Sequence, residues 1–149
     1  MKTSVKRIFS MVMAVAMISC LSCVMTSAQS YSPCSSDYFD AYYADVSAAS
    51  GGRIIVGLSV DGLKWLAHVG ASSITVLEST DQINYYPVKT FKYTEYPKMM
   101  TSGYYYYGDA VTYNGTVGKY YLANVICYAG DSTSHETRLY TTSSVRAVS

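Results

Sequence analysis

Residues 102–130 read SGYYYYGDAVTYNGTVGKYYLANVICYAG, and the fold turns on how they are read. Tyrosine, valine, threonine and isoleucine favour a pleated, half-buried surface. After the turn signal NGTVG at 114–118, alternation puts Tyr121, Ala123, Val125 and Cys127 on one apolar face. Tyr120, Leu122, Asn124, Ile126 and Tyr128 then point the other way. In the run 104–107, Tyr104 and Tyr106 cannot share a face with Tyr105 and Tyr107, so four tyrosines make two pairs back to back. Val111 and Tyr113 would draw the odd pair inward together with Asp109, unless a bulge at Gly108 resets the register.

The same logic works outward from that stretch. In RIIVGLSV, at 53–60, Ile54, Val56, Leu58 and Val60 alternate with smaller or polar residues, which is a strand with four aliphatics on one face. Asp61-Gly62 then reads as a hairpin turn, with KWLAHV beyond it. ITVLES at 74–79 is a strand with Ile74 and Val76 in the core, and STDQIN is a polar turn. YYPVKTFKY at 85–93 is a strand that Pro87 assigns to an edge. YPKMMTSG reads as a loop, and residues 136–142 as a last strand. Residues 37–50 fit a helix through Tyr38, Tyr42 and Val46 or a strand through Tyr42, Ala44, Val46 and Ala48, and SGG would end either. The whole predicts an all-β sandwich of about seven strands over 37–149.

The first 28 residues read as a signal peptide. Lys2, Lys6 and Arg7 precede an apolar run, and TSA at 26–28 offers small residues for cleavage. A retained anchor, or a lipid on Cys20 or Cys23, is the alternative. Cleavage leaves a short segment, 29–36, ahead of the domain. It also leaves eight cations against ten carboxylates, so the formal charge of +1 becomes −2. That balance offers no basic patch for phosphates and argues against nucleic acid. After cleavage nothing would hold the chain in a membrane. Cys34 and Cys127 remain, and export permits them to pair, closing a loop worth about 4–5 kcal/mol. Alternatively, Cys127 is a small buried apolar residue.

NGTVGKYYLANVICYAGDSTSHETRLYTT resembles the last two strands of a fibronectin type III or related immunoglobulin-like domain, through Tyr121, Ala123, Val125, Cys127, the loop 130–132 and Thr141–Thr142. The resemblance implies that Tyr121 is the corner tyrosine. The tryptophan expected in the second strand is missing, because Trp65 falls after Asp61-Gly62. SGGRIIVGLSV, VGASSITVLES, YPVKTF, YPKMMTSG, VTYNGTVGKYYLA and TRLYTTSSV also make the chain similar to short secreted proteins of uncharacterised function from anaerobic gut-type Gram-positive bacteria. That likeness implies export, an immunoglobulin-like sandwich, and a strand starting in 37–50.

Catalytic constellations are scarce. Ser134, His135 and Glu136 are adjacent, so on a strand they cannot relay a proton. There is no G-x-S-x-G turn and no H-E-x-x-H. His68 reads as a partly buried, hydrogen-bonded histidine. Glu78, Glu95 and Glu136 are too scattered to predict a glycosidase pair. Asp61, Asp81, Asp109 and Asp131 read as turn residues rather than calcium ligands. The expectation is a secreted, extracellular or cell-surface interaction module. It has no catalytic residue, metal or cofactor, and its partner is an unknown protein or glycan. The alternative is a carbohydrate-binding module using outward Tyr104, Tyr106, Tyr120 and Tyr128, because tyrosine rings stack on sugars.

Overall fold

The computed structural model describes residues 36–149. The expected signal peptide and Cys34 lie outside the described residues. The seven long strands are β1 (Phe39–Ala49), β2 (Arg53–Leu66), β3 (His68–Ser79), β4 (Tyr86–Lys92), β6 (Tyr104–Asn114), β7 (Tyr120–Gly130) and β8 (His135–Thr141). Two-residue strands, β5 (Met100–Thr101) and β9 (Val145–Arg146), complete the set. All pairings are antiparallel. One sheet has the order β1-β2-β6, the other β4-β3-β7-β8. β5 adds to the second sheet on β3, and β9 adds on β7.

The inward faces follow the alternation. Ile54, Val56, Leu58 and Val60 of β2 meet Tyr121, Ala123, Val125 and Cys127 of β7 in one core, with Ile74 and Val76 of β3. Within residues 37–50 the chain forms a strand, Phe39–Ala49, ended by the 3-10 turn Ser50–Gly52. Ala44 and Val46 are buried, while Tyr42 and Ala48 pack against the core. Tertiary burial decides here between two periodicities that the local sequence supports equally. Pro87 sits on β4, an edge strand, as expected.

Several local expectations change. Asp61-Gly62 is not a hairpin turn: β2 runs on to Leu66, and Gly62 lacks the positive φ that such a turn needs. Instead β2 bulges. Asp61 faces Tyr106 and Leu66 faces Tyr104, so four residues of β2 oppose Tyr105 alone. β6 has no bulge at Gly108, because its register against β2 is unbroken from Tyr106 to Asn114. Asp61 and Asp109 therefore lie in strands rather than turns. Asp109 turns inward with Tyr107, whose hydroxyl donates to its carboxylate at 3.2 Å and also to the Lys98 carbonyl. YPKMMTSG is more than a loop, since it contains the 3-10 turn Pro97–Met99 and β5.

β3 begins well before Ile74. A bulge between Ala71 and Ser73 switches its inward residues from Val69 and Ala71 to Ile74 and Val76. Upstream, Gly70 has φ 147, and a Cβ there would lie 2.3 Å from the Met99 carbonyl oxygen. Only glycine lets the segment carrying β5 cross so close.

At the other end of the sandwich, the Tyr121 ring lies against Gly115, where a Cβ would meet ring carbon Cζ at 2.7 Å. Its hydroxyl accepts from the Thr116 backbone N–H at 2.7 Å and donates to Glu78 Oε2 at 2.5 Å. Lys119 Nζ pairs with Glu78 Oε1 at 2.5 Å. Tyr121, near the start of β7, thus reaches back to the backbone a few residues upstream.

Candidate binding surface

The strand alternation leaves one large aromatic group uncovered. Tyr104 and Tyr106 fall on the outward face of β6. Tyr105 has inward parity, but it stands beyond the last core residue and nothing closes over it. Three of the four tyrosines are therefore exposed, by 56, 56 and 51% for Tyr104, Tyr105 and Tyr106, and Tyr107 alone is half-buried. The β2 bulge brings Trp65 to the same place. Its ring centroid lies 6.0 Å from both Tyr104 and Tyr105, tilted 33° to the first and edge-on to the second. Trp65 is 68% exposed and Leu63 beside it 55%.

The bulge is pinned on both sides. Leu63 N–H donates to the Tyr38 carbonyl at 3.0 Å, and Gly103 N–H donates to the Leu66 carbonyl at 3.0 Å. Polar groups stand at this end. Lys64 Nζ lies 4.4 Å from the centroid of the Tyr38 ring and 3.8 Å from Asp131 Oδ2. The Tyr38 hydroxyl donates to that same oxygen at 3.0 Å. Asp131 Oδ1 accepts from the Thr133 N–H and hydroxyl and from the Ser134 N–H. These bonds, led by those from Thr133, hold the Asp131 carboxyl far below its ordinary range, so it is charged at neutral pH. His68, expected to be partly buried, is exposed, and its Nδ1 is 3.1 Å from Ser102 Oγ.

The tyrosines expected to form a sugar platform do not converge. Tyr104 and Tyr106 belong to the β1-β2-β6 sheet, Tyr120 and Tyr128 to the outward face of the other. Tyr120 and Tyr128 stand at opposite ends of β7, roughly 26 Å apart at strand rise. Tyr120 lies 5.9 Å from the Arg146 guanidinium, and Tyr128 stacks on His135 at 5.0 Å and 15°. Both are half-buried and already have intramolecular neighbours.

Sequence reading missed Trp65 because a hairpin turn was placed before it. The usable signal was parity: Leu63 and Trp65 continue the outward set of Ile55, Gly57, Ser59 and Asp61.

The remaining candidates are structural. Glu136 accepts from Ser36 Oγ at 2.7 Å and Arg138 at 3.0 Å, and Ser134 lies in the loop that Asp131 organises. Asp81 likewise holds its own turn, accepting from Ile83 and Asn84 N–H at 2.9 and 2.8 Å. A crevice of about 320 Å³ runs from Glu78 past Asp81 and Asn84 to Tyr86, but its carboxylates are taken by these bonds. Among the described residues no group of three His, Cys, Asp or Glu could hold a metal ion. Among the described residues Cys127 has no disulfide partner; its thiol is buried in the core, and burial pushes its pKa up to about 12. No protein-family model and no curated protein matches the chain.

Proposed function

We propose that this chain is an exported, non-catalytic interaction module with an immunoglobulin-like sandwich of the fibronectin type III kind. Its contact surface is the end bearing Trp65. Three strands facing four, with a corner tyrosine at the start of β7, support the fold assignment. The core lacks the family's tryptophan, and the only one in the sequence stands in solvent instead.

The observation that carries the functional reading is this exposed, braced cluster of Trp65, Tyr104 and Tyr105. Monomeric proteins seldom leave several large aromatic side chains in contact with one another and uncovered, and such patches mark contact sites. The basic start and apolar run of residues 1–28 support export to the medium or cell surface.

Expression of the full chain in a Gram-positive host tests both parts. Mass spectrometry of the medium should find protein beginning at Gln29. Retention of residues 1–28 in the membrane fraction overturns free secretion. The exported protein should adhere to bacterial cells, and Trp65→Ala should reduce that adhesion at least tenfold. Adhesion unchanged by Trp65→Ala overturns the assignment of the surface.

A further inference from the structure

We infer that Trp65, with Tyr104 and Tyr105, is a stacking subsite for glycans built of glucose- or N-acetylglucosamine-type pyranose rings. The inference rests on reading the aromatic end as the contact surface, and it names the ligand class. Such rings keep their hydroxyls equatorial and present flat faces of C–H groups. An indole or phenol ring covers one such face, and the phenol hydroxyl can bond the sugar's edge.

The area available favours a ligand of this size. The three aromatic side chains, of roughly 200 Å² each and exposed by 56 to 68%, offer about 360 Å². A stable protein–protein interface buries about 800 Å² on each partner. Two or three pyranose rings need far less.

Composition points the same way. The patch is aromatic, with Leu63 its one exposed aliphatic member, and flat rings suit the C–H faces of pyranoses. Lys64 beside it stands 3.8 Å from Asp131 Oδ2, and Asp61 faces Tyr106, so carboxylates offset the cation and the end offers little to phosphates or anionic lipid. Trp65 is presented on a bulge with backbone bonds on both flanks, so little ordering is left to be done on binding.

The chain has a single tryptophan, so its fluorescence reports this site and no other. The exported protein would be titrated with cellohexaose and with chitohexaose, which separate plant-type from cell-wall-type sources of the same ring chemistry. Neutral and anionic phospholipid vesicles form a parallel arm. The expected result is a saturable emission change with at least one oligosaccharide, with protection from acrylamide quenching. Trp65→Ala should weaken binding at least tenfold by calorimetry, and Tyr104→Ala likewise, with melting temperatures close to that of the parent. Tyr120→Ala should leave binding unchanged.

The inference is overturned if neither oligosaccharide perturbs Trp65, if binding survives Trp65→Ala, or if vesicles alone bind. A protein that ignores both sugars, yet still adheres to cells through Trp65, would sink the glycan assignment and leave the interaction surface standing. Loss of both would sink the two together.

Discussion

Tyr121 shows how much one hydroxyl can organise. Its ring is fully buried, yet its oxygen serves a backbone N–H on one side and the Glu78 carboxylate on the other. Tyr121→Phe keeps the ring, removes the acceptor of the Thr116 N–H and leaves Glu78 with Lys119 alone. Chemical unfolding should report a loss of about 1–3 kcal/mol with an unchanged far-ultraviolet spectrum.

Cys127, six positions on, has the opposite character. Its thiol is enclosed by core residues and hard to ionise. Peptide mapping after alkylation at pH 8 should find it unlabelled in folded protein and labelled in urea without reductant. The folded thiol holds its proton above its ordinary value of 9.0, while the unfolded thiol releases it there. Its contribution to stability is therefore complete below pH 9 and declines as pH rises toward about 12. Cys127→Ala should flatten that alkaline decline.

At the scale of the element, the informative places are those where a strand departs from strict alternation. β2 carries four residues against one of β6, and this brings Trp65 beside Tyr104 and Tyr105. β3 inserts one residue at Ser72 and changes which parity faces the core. Upstream of that bulge, Gly70 lies beneath the Met99 carbonyl. Gly70→Ala demands both an unfavourable φ and a displaced backbone. It should lower stability by more than the roughly 1 kcal/mol separating the two residues in ordinary strand positions. A melt and a near-ultraviolet spectrum would show it. Gly103→Ala also has a positive φ but open space around it, and should cost less.

For the molecule as a whole, the carboxylates set the acid limit. Hydrogen bonds lower the pKa of Asp81, through Asn84 first, and of Asp131, through Thr133 first. Glu78 is lowered chiefly by Lys119 and then Tyr121, and Glu136 chiefly by Ser36. A lowered folded-state value means that stability is present above the ordinary values of 3.8 and 4.5 and is lost as pH falls through the lowered ones. Urea midpoints should be level from about pH 7 to 5 and fall steadily below about pH 4. Asp81→Asn combined with Asp131→Asn should make that fall shallower.

Alternation alone identified the chain as β and assigned Ile54, Val56, Leu58 and Val60, and Tyr121 to Cys127 at odd positions, to the core. Side-chain direction in a strand has period two, so any run of regular strand discloses its buried face. Pro87 likewise marked an edge, since proline lacks a donor for the ladder. Three things needed the tertiary structure. Residues 37–50 carry two periodicities, and only a neighbouring strand chooses between them. Asp61-Gly62 has the composition of a turn, but β1 and β6 hold it in a bulged strand. The uncovered aromatic end depends on where the core stops, and that is set by strands far apart in sequence. Local chemistry determines which way a side chain points, and the packed sheets determine whether anything lies over it.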